Sequence, residues 1–184
     1  MGKSEIILGK ALKVIGAPRE SFVVMTKVFY CAVEDGTMTF GDIVAGLNPD
    51  DLGYVNRHGL SRKHIFDAVK ASLRRLNLGY IDVLQCHRFD PNVEISEVMH
   101  ALHDVVQAGY ARYIGMSSCW AWQFHAMQSK CFLPYDFMSV ISEECVLDYA
   151  TNNGLTAFVS MQNHYSLLYR EEEREMNPLC NVRL

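Results

Sequence analysis

Four short apolar runs in this 184-residue chain each end in polar side chains able to do chemistry. Residues 22–27 (FVVMTK) end in Lys27, and residues 80–90 (YIDVLQCHRFD) carry His87. Residues 111–118 (ARYIGMSS) end in Ser117 and Ser118, and residues 157–166 (AFVSMQNHYS) carry Gln162, Asn163 and Tyr165. Lysine and histidine are residue types of proton transfer. Hydroxyls and amides are residue types that hold a polar ligand by hydrogen bonds. Each also has a plainer reading. Lys27 can be a strand-end lysine reaching for water. His87 can be a satisfied core residue, and the hydroxyls and amides can serve loop backbone.

Helical patterns separate the runs. Leu8, Ala11, Leu12 and Ile15 recur at helical spacing, with Ser4 as candidate N-cap and Gly16 as candidate C-cap. After the 18–20 turn, Phe22, Val23, Val24 and Met25 read as a buried strand. Residues 30–60 read as a long irregular loop rich in glycine. Loops of that length are functional or mobile as a rule. Ser61 caps a helix whose stripe is Ile65, Val69, Leu73 and Leu76, ending at Asn77 or Gly79. Residues 81–86 are a strand. Ile95, Val98, Met99, Leu102, Val105 and Val106 form the next helical stripe, closed by Gly109. Residues 113–116 are a strand, 120–128 begin a helix, 158–161 are the fourth strand, and 170–176 look like a helix start. The βαβα alternation predicts a parallel sheet with helices outside. In a parallel α/β barrel the chemistry sits at the C-terminal ends of the strands.

Bulk properties narrow the choices. The chain is 49% hydrophobic and 21% charged with net charge −4, so nothing points to nucleic acid. No apolar run approaches the roughly 18 residues of a membrane span, and the N-terminus lacks a signal-peptide core. None of the six cysteines forms a CxxC pair, which favours a reducing, cytoplasmic setting over a disulfide framework. His100 and His103 share a helix face without an acidic or cysteine partner at zinc spacing, so no metal site is expected. A complete (β/α)8 barrel typically needs about 250 residues, more than are present.

In order and wording the four runs resemble the aldo-keto reductases. CHRFD, RYIGMSS and SMQNHYSLLYREEERE are similar to the fungal aryl-alcohol dehydrogenase and polyketide-pathway reductase type. The resemblance implies a partial (β/α)8 TIM barrel, about strands 3–6 with their helices. It implies NADP(H) as cofactor and a small-molecule aromatic or polyketide-type aldehyde or ketone as substrate. By the same resemblance Lys27 tunes a hydroxyl acid and pairs with a carboxylate. His87 sits beside the substrate carbonyl. Ser117, Ser118 and Gln162 hydrogen-bond the nicotinamide carboxamide. Ser118 stands where many members carry asparagine. Trp120 and Tyr165 are candidates for the substrate mouth or for packing, and Asp82 reads as structural.

The resemblance also sets expectations about what lies outside it. The family's proton-donating tyrosine and its aspartate precede a stretch that here is GKSEIILGKAL, residues 2–12, with only Met1 before it. Strands seven and eight, which hold the adenosine phosphate, would follow residue 184. Residues 1–184 are therefore read as one incomplete domain whose barrel edges could self-associate. Residues 129–148, carrying Pro134 and no sustained helical stripe, are read as translated intron sequence or a divergent insertion within a helix that joins Gln128 to Tyr149. The rival reading is a catalytically inactive remnant. A metal hydrolase on the same barrel is disfavoured by the ligand pattern.

Overall fold

The computed structural model describes residues 2–31, 41, 42, 45–128 and 149–183. Its elements in chain order are α1 (Lys3–Ile15), β1 (Met25–Val28), α2 (Arg62–Leu76), β2 (Ile81–Cys86), α3 (Ile95–Gln107), β3 (Ala111–Ser117), α4 (Ala121–Gln128), α5 (Tyr149–Asn152), β4 (Phe158–Gln162) and α6 (Met176–Arg183). Short 3₁₀ turns occupy Arg19–Ser21, Pro49–Leu52 and Glu171–Glu173. The strands form one sheet in the order β1-β2-β3-β4, every neighbouring pair parallel. This is the parallel sheet with helices outside expected from the alternation of strand and helix patterns, and it fits the partial (β/α)8 barrel that the resemblance implies. No described helix is long and apolar enough to cross a membrane.

Local sequence signals explain most boundaries. Ser61 accepts the His64 amide through its hydroxyl at 3.3 Å and starts α2. Asn77 ends it in the left-handed conformation at φ 55°. Gly16 closes α1 in the same way at φ 65°. Three expectations shift. Ser4 lies inside α1, whose N-cap is Gly2 with no side-chain capping bond. The helix start placed at 170–176 is a 3₁₀ turn followed by α6 from Met176. The first strand begins at Met25 rather than Phe22, because β2 starts pairing only there, with Met25 opposite Val83. Just before it, the Val24 carbonyl accepts the amides of both Asp82 and Val83, and the Asp82 carboxylate accepts the Val24 amide at 2.7 Å. Asp82 is thus structural, as the sequence implied.

The core lies between the sheet and the helices. Leu84 and Cys86 of β2, Ile114 and Met116 of β3 and Phe158 of β4 point into it. They meet Ile65, Val69 and Leu76 of α2, Met99, Leu102 and Val105 of α3, and Phe124 and Met127 of α4. Full burial of one such side chain stabilises the fold by about 1.5–3 kcal/mol. Helix α1 approaches α2 closely at Gly9, where a Cβ would meet the Leu76 carbonyl oxygen at 2.3 Å. Glu5 of α1 ties the same corner together, accepting from Arg75 of α2 and from the Thr26 hydroxyl of β1.

The flanks of residues 129–148 meet in space, while that segment itself lies outside the described residues. Gln128, at the end of α4, donates through its side-chain amide to the Phe158 carbonyl at 2.7 Å and accepts the Phe158 amide at 2.6 Å. The buried side chain therefore pairs with the start of β4 as a backbone peptide would. Thr151 of α5 donates its hydroxyl to the Gln128 carbonyl at 2.9 Å. Helical threonines make this bond to the carbonyl three or four positions earlier. Removing 129–148 places Thr151 three positions after Gln128. Its deletion is therefore expected to leave a continuous helix and an unaltered sheet. Circular dichroism and thermal melting check this. Loss of cooperative unfolding would show that the segment holds α4 and α5 in place.

Candidate active site at the strand ends

The side chains with chemistry occupy the sheet face turned away from the helices. Register places Lys27 opposite Gln85, and Gln85 opposite Gly115. A Cβ on Gly115 would lie 3.1 Å from Gln85 Cγ and 2.3 Å from Ser160 Oγ, so these positions share one face. His87 follows Gln85 by two residues, and Ser117 follows Gly115 by two, which keeps both on it. On β4 a bulge interrupts the pairing between Ile114 and Met116. The additional β4 residue brings Gln162, rather than Met161, level with Ser117. A one-residue slip would turn Gln162 into the core.

Lys27 and His87 line a common cavity of about 410 Å³ beside β1, together with Tyr30, Thr26 and Glu5. Burial, and then the nearby Arg88 guanidinium, lower the pKa of Lys27. No carboxylate pairs with Lys27 among the described residues. Burial, then the charges of Lys27 and Arg88, push His87 down to about 4. His87 is therefore a neutral imidazole at neutral pH, able to donate a hydrogen bond without carrying charge. Its amide donates to the Val28 carbonyl at 2.8 Å, and its ring meets Tyr30 edge-on at 4.9 Å. The role of Tyr30 as the wall behind His87 was not legible in the sequence; its one signal is an aromatic pair after the Lys27 strand.

Ser117, Ser118 and Gln162 converge at the far side of the same end. Ser117 is buried, and its hydroxyl lies 3.5 Å from that of Ser118. Ser118 adopts φ 46°, a left-handed backbone uncommon for serine. The Asn163 side chain holds it there, accepting the Ser118 amide at 2.7 Å and donating to Glu172 at 2.6 Å. Asn163 is thus a support that serves loop backbone, the plainer of the two readings the sequence offered for this amide. The Gln162 amide has no hydrogen-bond partner among the described residues and presents both a donor and an acceptor. Trp120 is exposed at the rim. Tyr165 is exposed too, with its hydroxyl turned to Glu173.

Two histidines make this fold sensitive to acid. His64 and His87 each titrate near about 4, well below the ordinary 6.5. As pH falls below 6.5 the unfolded chain binds these protons first. Their stabilising contribution is complete above 6.5 and is lost as pH falls through about 4. The thermal midpoint is expected to fall across this window, and His87→Gln to flatten the slope. Melting curves at stepped pH test it, and a midpoint unchanged down to pH ~5 contradicts it.

Comparison with known proteins identifies the family. The profile of the aldo/keto reductase family matches residues 1–183. The aldo-keto reductase AFTS1 of Alternaria alternata is 47% identical over 185 residues, covering 98% of this chain and 45% of the relative. The versiconal hemiacetal acetate reductase of Aspergillus parasiticus is 44% identical over 179 residues, covering 97% and 46%. The Schizosaccharomyces pombe protein C977.14c, described as an aryl-alcohol dehydrogenase, is 44% identical over 183 residues, with the same coverage of 97% and 46%. The chain spans a little under half the length of these relatives. Its sheet matches part of the family's (β/α)8 barrel, and the chain belongs to the aldo/keto reductase family.

Proposed function

We propose that this chain is a β/α portion of an NADPH-dependent reductase acting on aromatic or polyketide-type aldehydes and ketones. One observation carries the reading. Lys27 and His87 lie on the same sheet face and at the same strand end as Ser117 and Gln162, and the Ser118 hydroxyl lies 3.5 Å from that of Ser117. The donor set fits a nicotinamide. Two hydroxyls and an unpartnered primary amide are complementary to a carboxamide, which needs both donors and acceptors. Bound there, NADPH would supply the hydride and its electron pair to the carbonyl carbon. Neutral His87 would donate a hydrogen bond to the carbonyl oxygen and orient it. The positive charge of Lys27 would lower the pKa of a hydroxyl acid that gives that oxygen its proton. The substrate class rests on the names of the relatives and on the aromatic side chains Trp120 and Trp122 exposed near the rim.

A second reading, that the 184-residue chain alone turns over no carbonyl, is favoured by a separate observation. Lys27 makes no ion pair with a carboxylate among the described residues. NADPH oxidation with an aromatic aldehyde separates the two. The chain is compared with a chimaera carrying the flanking segments of AFTS1. In whichever form is active, Lys27→Met is expected to lower kcat by about 10²–10⁴-fold. His87→Gln should also lower it, and Gln162→Ala should weaken NADPH binding measured by nucleotide fluorescence. Full activity in Lys27→Met would overturn the reductase reading. Activity in the chimaera alone would favour the second.

The same reading includes self-association. Strands β1 and β4 each have one edge with no strand beside it among the described residues, and unpaired edges recruit other strands. Sedimentation across a concentration series is expected to show dimers or larger species. A monomer throughout would count against it.

A further inference from the structure

We propose that the cleft between helix α2 and the chain following β1 binds a small anion of the phosphate class. The cleft encloses about 280 Å³. Along α2 it is lined at residues 64, 68, 71 and 75, one helix face by spacing. Ala68 and Ala71 form the floor, and their small side chains leave the room above them. Val28 and Tyr30 close the other wall.

The rim is positive in a chain whose net charge is −4. Arg57, Lys63, Arg74 and Arg75 all line it, and Lys27 reaches it from β1. The one carboxylate lining it is Asp67, which Lys63 already engages at 2.6 Å. Arg75 is held by Glu5 and by the Ser72 hydroxyl, so its guanidinium is fixed in place. Arg57 and Arg74 are exposed and have no carboxylate partner among the described residues. Gathering like charges costs free energy that a bound anion offsets. Guanidinium groups match the spacing of phosphoryl oxygens, and several of them favour a multiply charged ligand over a single carboxylate.

A second observation is independent of the charge pattern. His64 is only 6% exposed, lines the cleft, and has a buried Nε2 with no hydrogen-bond partner. An unpaired buried polar atom costs about 1–3 kcal/mol unless something occupies it. Burial, and then the charges of His58, Lys63 and Arg57 against that of Asp67, hold His64 near about 4. The imidazole is thus neutral at neutral pH, and its Nε2–H tautomer can donate to an anion oxygen. The inference stands apart from the reductase reading, since it needs neither hydride chemistry nor any residue outside the described chain.

Isothermal titration of the intact chain with inorganic pyrophosphate, inorganic phosphate and citrate, in buffer free of other oxyanions, tests it. Pyrophosphate is expected to bind at one site and more tightly than citrate. Arg57→Gln and Arg74→Gln are each expected to weaken binding about tenfold, the effect of one charge-assisted hydrogen bond. Both residues are exposed, so these variants keep the fold. His64→Phe should weaken binding, while His100→Ala on the exposed face of α3 should not. Hydrogen exchange on the unsubstituted chain should show pyrophosphate protecting amides of α2. Absence of binding overturns the proposal. So does equal affinity for citrate, or affinity unchanged in the Arg57→Gln, Arg74→Gln double variant.

Discussion

The register between β1 and β2 decides where Lys27 and His87 meet, and one carboxylate sets that register. Asp82 sits on β2 and accepts both the Val24 amide and the Arg19 guanidinium. Arg19 is itself clamped, 4.0 Å from the Tyr80 ring and 5.0 Å from the Phe22 ring, and it also donates to the carbonyls of Phe22 and Tyr80. The pair is only partly buried, with side-chain exposures of 21% and 17%. Its importance is therefore geometric more than energetic. It locks the chain entering β1 to the start of β2, so Met25 falls opposite Val83 and Lys27 opposite Gln85. A slip by one residue would send Lys27 into the apolar core. The placement of Lys27 and His87 at the top of the sheet thus depends on an ion pair at its bottom.

A second polar cluster fixes β1 from the other side. Glu5 and Arg75 form a pair with side-chain exposures of 14% and 6%, and the Thr26 hydroxyl completes it. Removing one partner of such a buried pair typically costs about 3–5 kcal/mol, because the other charge is left without compensation. Thr26 immediately precedes Lys27, and strand side chains alternate. Thr26 therefore points to the helices while Lys27 points to the open face. The strand with the fewest residues in the sheet is held by charged groups just before it and at Thr26, which suits an edge with no strand on one side among the described residues.

How much was legible in the sequence follows from the range of each interaction. Helix stripes, the Ser61 cap, the Gly16 and Asn77 stops and the strand β2 are local patterns, and all stand where periodicity puts them. The start of β1 was not legible, since its boundary is set by a partner strand more than fifty positions away in the chain. Gln128 gave no signal either: a glutamine at a helix end reads as surface, and only the fold brings Phe158 to it. The same holds for Tyr30 behind His87. Ser117, Ser118 and Gln162 were placed by family wording rather than by physics. The structure supplies the physical part, a β-bulge that turns Gln162 toward Ser117. The left-handed backbone at position 118 is one that asparagine tolerates better than serine does.

β1 acts as a partition between two clefts. Lys27, Tyr30 and Arg75 line both the cavity that holds His87 and the positive groove along α2. Charges on either side therefore share one low-dielectric wall, across which they interact more strongly than in water. Lys27 and Arg88 lower the pKa of His87, and Arg88 also lowers that of Lys27. An anion seated along α2 would act with the opposite sign. It would favour the protonated form of Lys27 and raise His87 toward its ordinary value. Burial first, and then the charges of Lys27 and Arg88, keep the imidazole neutral; of these charges only Lys27 also lines the groove. A neutral imidazole is the form that can hydrogen-bond a carbonyl oxygen while leaving proton transfer to a stronger positioned acid.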